Sequence, residues 1–232
     1  MTKNQLWSRW ILANALSEMT GLGLTFAITG LFFSSIGEQN TSASILLSFT
    51  VAVLSGAVEA TFVGLAQWWA MHPWFPSIER FAWWRGTLIG ALIAYVMGYL
   101  PSTLMSMGEA TALRQAQDTA SNAPVAEPAQ WVVLLLAAGM GAIGGVVLSF
   151  AQWLAMRGKV KRAGLWIPAN MLAWLFGMPI IFWGIDLAFK MSALWQSVLV
   201  MAGTLFVAGA VVGAIHGLFL LRLANKNSSI QP

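Results

Sequence analysis

The chain has 232 residues, 58% hydrophobic and only 9% charged, with a formal net charge of +4 and no cysteine. Soluble domains carry about a quarter charged residues, so this composition cannot furnish a water-facing surface and points to a membrane protein. The missing thiols exclude disulfides, Cys-ligated zinc, iron–sulfur clusters and a thiolate nucleophile, and the absence of a basic run alternating with exposed aromatics argues against a nucleic-acid partner.

The first apolar run, Trp10 to Phe33, follows Lys3 and Arg9. It exceeds the roughly 7 to 15 residues of a signal-peptide core and lacks a small-residue cleavage site, so it reads as an uncleaved first span over Trp7 to Phe33. A helix needs about 20 mostly apolar residues to cross the hydrocarbon core. Five further segments meet that length: Ile45 to Met71, Ala82 to Met107, Trp131 to Met156, Leu165 to Phe189 and Leu194 to Leu223. The loop from Gly108 to Ala129 is the one long connection; Glu109, Asp118 and Glu127 outweigh Arg114 there, and Pro124 with Pro128 stops any late helix.

Basic residues set the orientation. With the N-terminus inside, cytoplasmic segments hold Lys3, Arg9, Arg80, Arg85, Arg157, Lys159, Lys161, Arg162, Arg222 and Lys226, leaving Arg114 and Lys190 outside. The expectation is an all-α, six-span membrane protein with both termini cytoplasmic and the long loop external.

Gly56 to Met71 aligns without gaps on Gly141 to Met156, sharing Gly, Ala, Ala-Gln-Trp and Ala-Met. A second motif alternates with it: Trp10-Ile-Leu-Ala-Asn14 and Trp166-Ile-Pro-Ala-Asn170 share four of five residues, with a fainter version from Trp83 to Thr87. The sixth span resembles the opening of the first motif from Gly209 to His216, but Leu220 and Leu221 stand where Gln-Trp would be. The unit is therefore a two-helix hairpin used three times, and three hairpins suggest closure around a pseudo-threefold axis. Ala-Gln-Trp-Leu before a basic loop, then Ala-Gly-Leu-Trp-Ile-Pro-Ala-Asn and Ala-Trp-Leu-Phe-Gly, resembles a set of largely uncharacterised bacterial multi-pass membrane proteins built from such hairpins. The resemblance implies that architecture in a bacterial inner membrane and carries no activity, cofactor or catalytic residue. In the first repeat the basic loop is replaced by His72 to Pro76, a departure from the pattern.

Glycines spaced by four mark helix-packing faces: Gly86 with Gly90, Gly141 with Gly145, and Gly209 with Gly213 and Gly217. Gln67 and Gln152, with Asn14, Thr87 and Asn170 at similar depth, would face one another on such an axis as a cytoplasmic-side polar ring. Glu18 and Glu59 fall near the midplane and His216 somewhat closer to the cytoplasm, by about 1.5 Å per residue. An ionisable group there costs roughly 2.5 to 3.5 kcal/mol on insertion scales. If the sixth span packs beside the first, Glu18, Glu59 and His216 could form one site, in which close carboxylates share a proton or a cation. Asp186 with Lys190 reads as an interfacial ion pair, and His72 as a solvated loop residue. No His-Glu-x-x-His, phosphate-loop or Gly-x-Ser-x-Gly motif occurs, which disfavours an enzyme. Two functional readings follow: a small transporter or channel-like protein for a proton, cation or small solute, and a non-catalytic scaffold that self-associates or holds a membrane-protein partner in the bilayer.

Overall fold

A bilayer core offers no water to satisfy backbone amides, so a chain this apolar must bond its backbone within helices. The computed structural model describes residues 2–36, 41–115 and 128–227. Among the described residues there are six long helices, α1 (Lys3–Ile36), α2 (Ser42–Met71), α3 (Arg80–Gln115), α4 (Gln130–Met156), α5 (Trp166–Phe189) and α6 (Leu194–Asn227), with one 3-10 turn, Ala163–Leu165, leading into α5. All six are long and apolar enough to cross a membrane, by length and composition. The chain thus has the make-up of a multi-pass membrane protein.

Helicity outruns hydrophobicity at several ends. Helix α1 begins at Lys3 rather than Trp7, because Thr2 and Gln5 bond each other's backbone N–H and stabilise a polar first turn. Helix α3 continues past Met107 to Gln115. That stretch contains Glu, Ala, Leu, Arg and Gln, all good helix formers, so the predicted loop is partly helical. Residues 116–127 of that loop lie outside the described residues. Thr41 and Ser44 form a capping box that fixes the start of α2.

The six helices pack in chain order, each on its two neighbours, and α6 closes on α1. Glycine faces permit the close approach. A Cβ placed at Gly145 would lie 2.6 Å from the backbone oxygen of Asn170, and one at Gly209 would lie 2.7 Å from that of Asn14. One at Gly90 would lie 2.8 Å from the Cα of Leu148. These backbones are already in contact, as expected where dispersion rather than expelled water holds helices together.

At the end carrying both termini, arginines lie over aromatic rings. Arg9 stands 3.6 Å from the Trp69 centroid and donates to the Trp69 carbonyl oxygen, while Arg80, Arg157 and Arg222 lie near Trp68, Trp153 and Phe219. Beneath them sits the larger buried core, built around Trp10, Trp83, Trp166, Phe75, Met71, Met156 and Leu220. A second, smaller apolar cluster of Leu22, Ile181, Leu205 and Ala208 lies toward the other end.

Candidate functional site

The Trp-x-x-x-Asn/Thr motif has a common local geometry. Asn14 Nδ2 donates to the Trp10 carbonyl at 2.8 Å, Thr87 Oγ1 to that of Trp83 at 3.0 Å, and Asn170 Nδ2 to that of Trp166 at 3.0 Å. Each bond folds a polar side chain back onto the preceding turn, which fixes its rotamer. In Asn14 that leaves Oδ1 free to accept across the bundle, and Gln67 Nε2 donates to it at 2.9 Å. Gln152 Nε2 then donates to Gln67 Oε1 at 3.2 Å and to Thr87 Oγ1 at 3.0 Å, and Gln152 Oε1 accepts from Trp166 Nε1 at 2.8 Å.

Four of the five residues expected in a polar ring are therefore joined in one buried network spanning α1, α2, α3 and α4, with Trp166 of α5 attached. The fifth, Asn170, is buried but does not join: its Oδ1 has no hydrogen-bond partner among the described residues. The reason is chemical. Leu220 of α6 stands where the first two hairpins place glutamine, and it has no amide to offer.

Trp10, Trp83 and Trp166 form a layer on the terminal side of this network. Their rings pack edge to face or tilted, with Trp166 centroids 5.8 Å from Trp10 and 5.7 Å from Trp83, and all three are fully buried. His216 belongs to this layer. It lies 5.1 Å from the Trp166 centroid and 6.4 Å from that of Trp10.

The expected union of His216 with the two glutamates does not form. Glu18 faces Gly209 on α6, where a Cβ would lie 2.9 Å from the Glu18 Cβ. His216 lies two helical turns further along α6, about 10 Å away at 1.5 Å per residue. The condition for that union, α6 packed on α1, is met, but the register along α6 separates these side chains.

Glu18 and Glu59 do approach. Gly21 of α1 lies against the backbone of Glu59, with a placed Cβ 2.9 Å from the Glu59 Cα, and the two carboxyl groups interact electrostatically. The Tyr95 hydroxyl donates to Glu59 Oε2. Tyr99, one turn later on α3, packs at a tilt against Tyr95 with centroids 5.9 Å apart. Glu18 is buried, and its Oε2 has no hydrogen-bond partner among the described residues. Glu59 is half-buried, because it lines a cavity of about 410 Å³.

Among the described residues that cavity is walled by α1, α3, α4 and α5, with Glu59 the lone contribution of α2 and none from α6. Its lining is apolar apart from Glu59, Tyr95, Tyr99, Thr25 and the indole N–H of Trp174, and the Thr25 hydroxyl is already bonded to the Ser55 carbonyl at 3.0 Å. The tyrosines were missed by sequence reasoning. The available signal was that they are the only two tyrosines in the chain, spaced one turn apart in a helix otherwise free of midplane polar groups.

Away from this region, Lys190 Nζ meets Asp186 Oδ2 at 2.6 Å, and Gln130 Nε2 donates to the same oxygen at 2.9 Å. The pair is an exposed structural clasp between α4 and α5. His72 is not a solvated loop residue: it caps α2, is half-buried and lies over Trp68 with centroids 4.5 Å apart. No group of three or more His, Cys, Asp or Glu side chains with metal-binding geometry occurs among the described residues. The chain finds no significant match among protein-family models, curated proteins or solved structures.

Proposed function

We propose that the chain is a six-span protein of a bacterial cytoplasmic membrane, with both termini in the cytoplasm, that works as a small transporter or channel-like protein. The Glu18–Glu59–Tyr95 cluster would bind a proton, a cation or a small solute bearing positive charge. One observation carries the reading: Glu18 stands one turn before the Gly21 that abuts the Glu59 backbone, Glu59 lines a cavity, and no Lys, Arg or His lines that cavity among the described residues. A carboxylate costs roughly 2.5 to 3.5 kcal/mol to insert at such depth. Packing alone gains nothing from that cost, whereas a binding site needs the negative potential it creates.

A pseudo-threefold arrangement of hairpins fits this reading. It draws support from the closed sequential ring of helices, from the back-bond repeated at Asn14, Thr87 and Asn170, and from two similar glycine contacts, offset by about one turn. Gly209 meets the Asn14–Glu18 turn of α1 as Gly141 meets Trp174, one turn beyond Asn170, on α5. In this scheme Glu18 is the charged member of a set otherwise made of Ala91 and Trp174. Internal repeats with the binding site near the midplane are a common transporter plan.

Infrared difference spectroscopy of the reconstituted protein tests the proposal. A Glu59 carboxyl band that responds to pH or added cation, and that moves in Glu18→Gln and in Tyr95→Phe, is the expected result. Bands indifferent to both conditions and to both substitutions would refute it. A second reading, a non-catalytic scaffold or assembly partner, is favoured by the inner network itself. Asn14, Gln67, Thr87 and Gln152 spend their hydrogen bonds on one another beneath a fully buried tryptophan layer, which leaves no polar route from the carboxylates to the terminal end. A scaffold would tolerate Glu18→Gln with Glu59→Gln.

A further inference from the structure

The α3–α4 seam is closed at one end and open at the other. Near the terminal end the two backbones touch: a Cβ at Gly86 would lie 2.9 Å from the Ala151 carbonyl oxygen, and one at Gly90 would lie 2.8 Å from the Leu148 Cα. Further along, the same test finds space. A Cβ at Gly98 meets nothing within 4 Å, and one at Gly144 meets only the Ala94 Cβ at 3.9 Å. The helices therefore diverge, and small residues (Ala91, Ala94, Gly98, Gly144) line the wedge between them.

The cavity occupies this wedge and reaches the bundle exterior, because four of its lining residues are exposed: Met97 at 46%, Tyr99 at 38%, Met140 at 44% and Ile143 at 58%. All four lie on helices long and apolar enough to cross a membrane, so in the proposed spanning arrangement the mouth faces lipid rather than water. At the inner end stands Glu59. Five aromatic rings, those of Phe26, Tyr95, Tyr99, Trp174 and Phe182, surround the space between.

A half-buried carboxylate, an aromatic lining and the absence of any cationic side chain among the described lining residues together define one ligand chemistry. An ammonium or phosphonium centre is attracted to ring faces, with more effect when desolvated, and its charge is matched by a carboxylate. The apolar walls accept hydrocarbon, and a cavity of about 410 Å³ falls within the usual range for small-molecule sites. We infer that the wedge between α3 and α4 is a binding site for a lipophilic organic cation, which enters sideways from the bilayer and pairs its charge with Glu59.

This inference rests on the proposed role of Glu59 and adds the ligand class and the route. Glu18, whose Oε2 has no hydrogen-bond partner among the described residues, balances the charge by staying protonated, which leaves the single negative charge of Glu59 to match a monovalent ligand. Entry needs no aqueous path, so the tryptophan layer and the sealed inner network present no obstacle.

The test uses the full chain in phosphatidylcholine nanodiscs and tritiated tetraphenylphosphonium, read by scintillation proximity. Saturable binding is expected in the wild type, with at least a tenfold loss of affinity in Glu59→Gln. Gly144→Leu, which fills the wedge from an open position, should abolish binding while leaving the Glu59 infrared band responsive. Glu59→Asp, which keeps the charge, should retain binding and guards against a fold defect in the amide variant. Binding that fails to saturate in the wild type, or that is unchanged in Glu59→Gln and Gly144→Leu, overturns the inference. If it fails while the Glu59 band still responds to pH or inorganic cation, the broader proposal survives; if the band is also inert, both fall.

Discussion

Replacing Gln152 by leucine tests the inner network most directly. Gln152 is 1% exposed and makes three hydrogen bonds to side chains on three other segments, namely Gln67, Thr87 and Trp166. Interhelical hydrogen bonds in membranes average about 0.6 kcal/mol and reach about 1.7 kcal/mol. Loss of the three therefore costs about 2 kcal/mol, and the stranded Trp166 N–H adds to the total, since an orphaned buried donor costs about 1 to 3 kcal/mol. Leucine is a fair test of the polar contribution because α6 already carries Leu220 at the corresponding place, fully buried. Reversible unfolding in mixed micelles, or steric trapping in bicelles, measures the change. A destabilisation of 2 kcal/mol or more is expected, with Gln67→Leu smaller and the double variant less than additive, because the two amides share one bond. A loss under about 0.5 kcal/mol would refute the claim that these bonds hold the bundle together.

Two neighbouring glycines should behave in opposite ways. Gly145→Ala drives a methyl group against the Asn170 backbone and should cost about 2 kcal/mol or more, whereas Gly144→Ala enters open space and should be neutral or slightly stabilising through helix propensity; thermal unfolding of both variants checks the contrast. Tyr95→Phe removes the hydroxyl that donates to Glu59, and should shift the Glu59 carboxyl stretch while changing stability by no more than about 1 kcal/mol. Because the chain has no cysteine, single replacements report topology cleanly. Ser192→Cys should react with an impermeant maleimide in intact cells and Ser77→Cys only after permeabilisation; the reverse pattern would invert the proposed orientation.

The spans could be read from sequence because each is a long apolar run, and bilayer thickness sets a length that periodicity need not supply. Their ends were less legible: Lys3 to Leu6 and Met107 to Gln115 stay helical after hydrophobicity has faded, since propensity and capping act there. The inner network was visible because Ala-Gln-Trp and Trp-x-x-x-Asn repeat, so equivalent side chains had to share a depth. The partnership of Glu59 with Tyr95 was not visible. It depends on the rotation of α3 about its axis, and no repeat or spacing within one helix records that angle. His216 illustrates the same limit: the packing of α6 on α1 that its site required is met, yet a shift of two turns along α6 decided that it meets tryptophans rather than carboxylates.

The one-sided closure of the α3–α4 seam has a mechanical consequence. Where Gly86 and Gly90 bring the two backbones together, any separation must break many dispersion contacts at once, so that end acts as a fixed pivot. Near Gly98 and Gly144 few contacts oppose a change of angle. A rotation of about 5° around a pivot some 15 Å away, roughly ten residues at the helical rise, moves the far end by about 1 Å. Occupants differing by a methyl group or more could then be accommodated by leverage alone, without repacking Trp10, Trp83 and Trp166 behind the pivot.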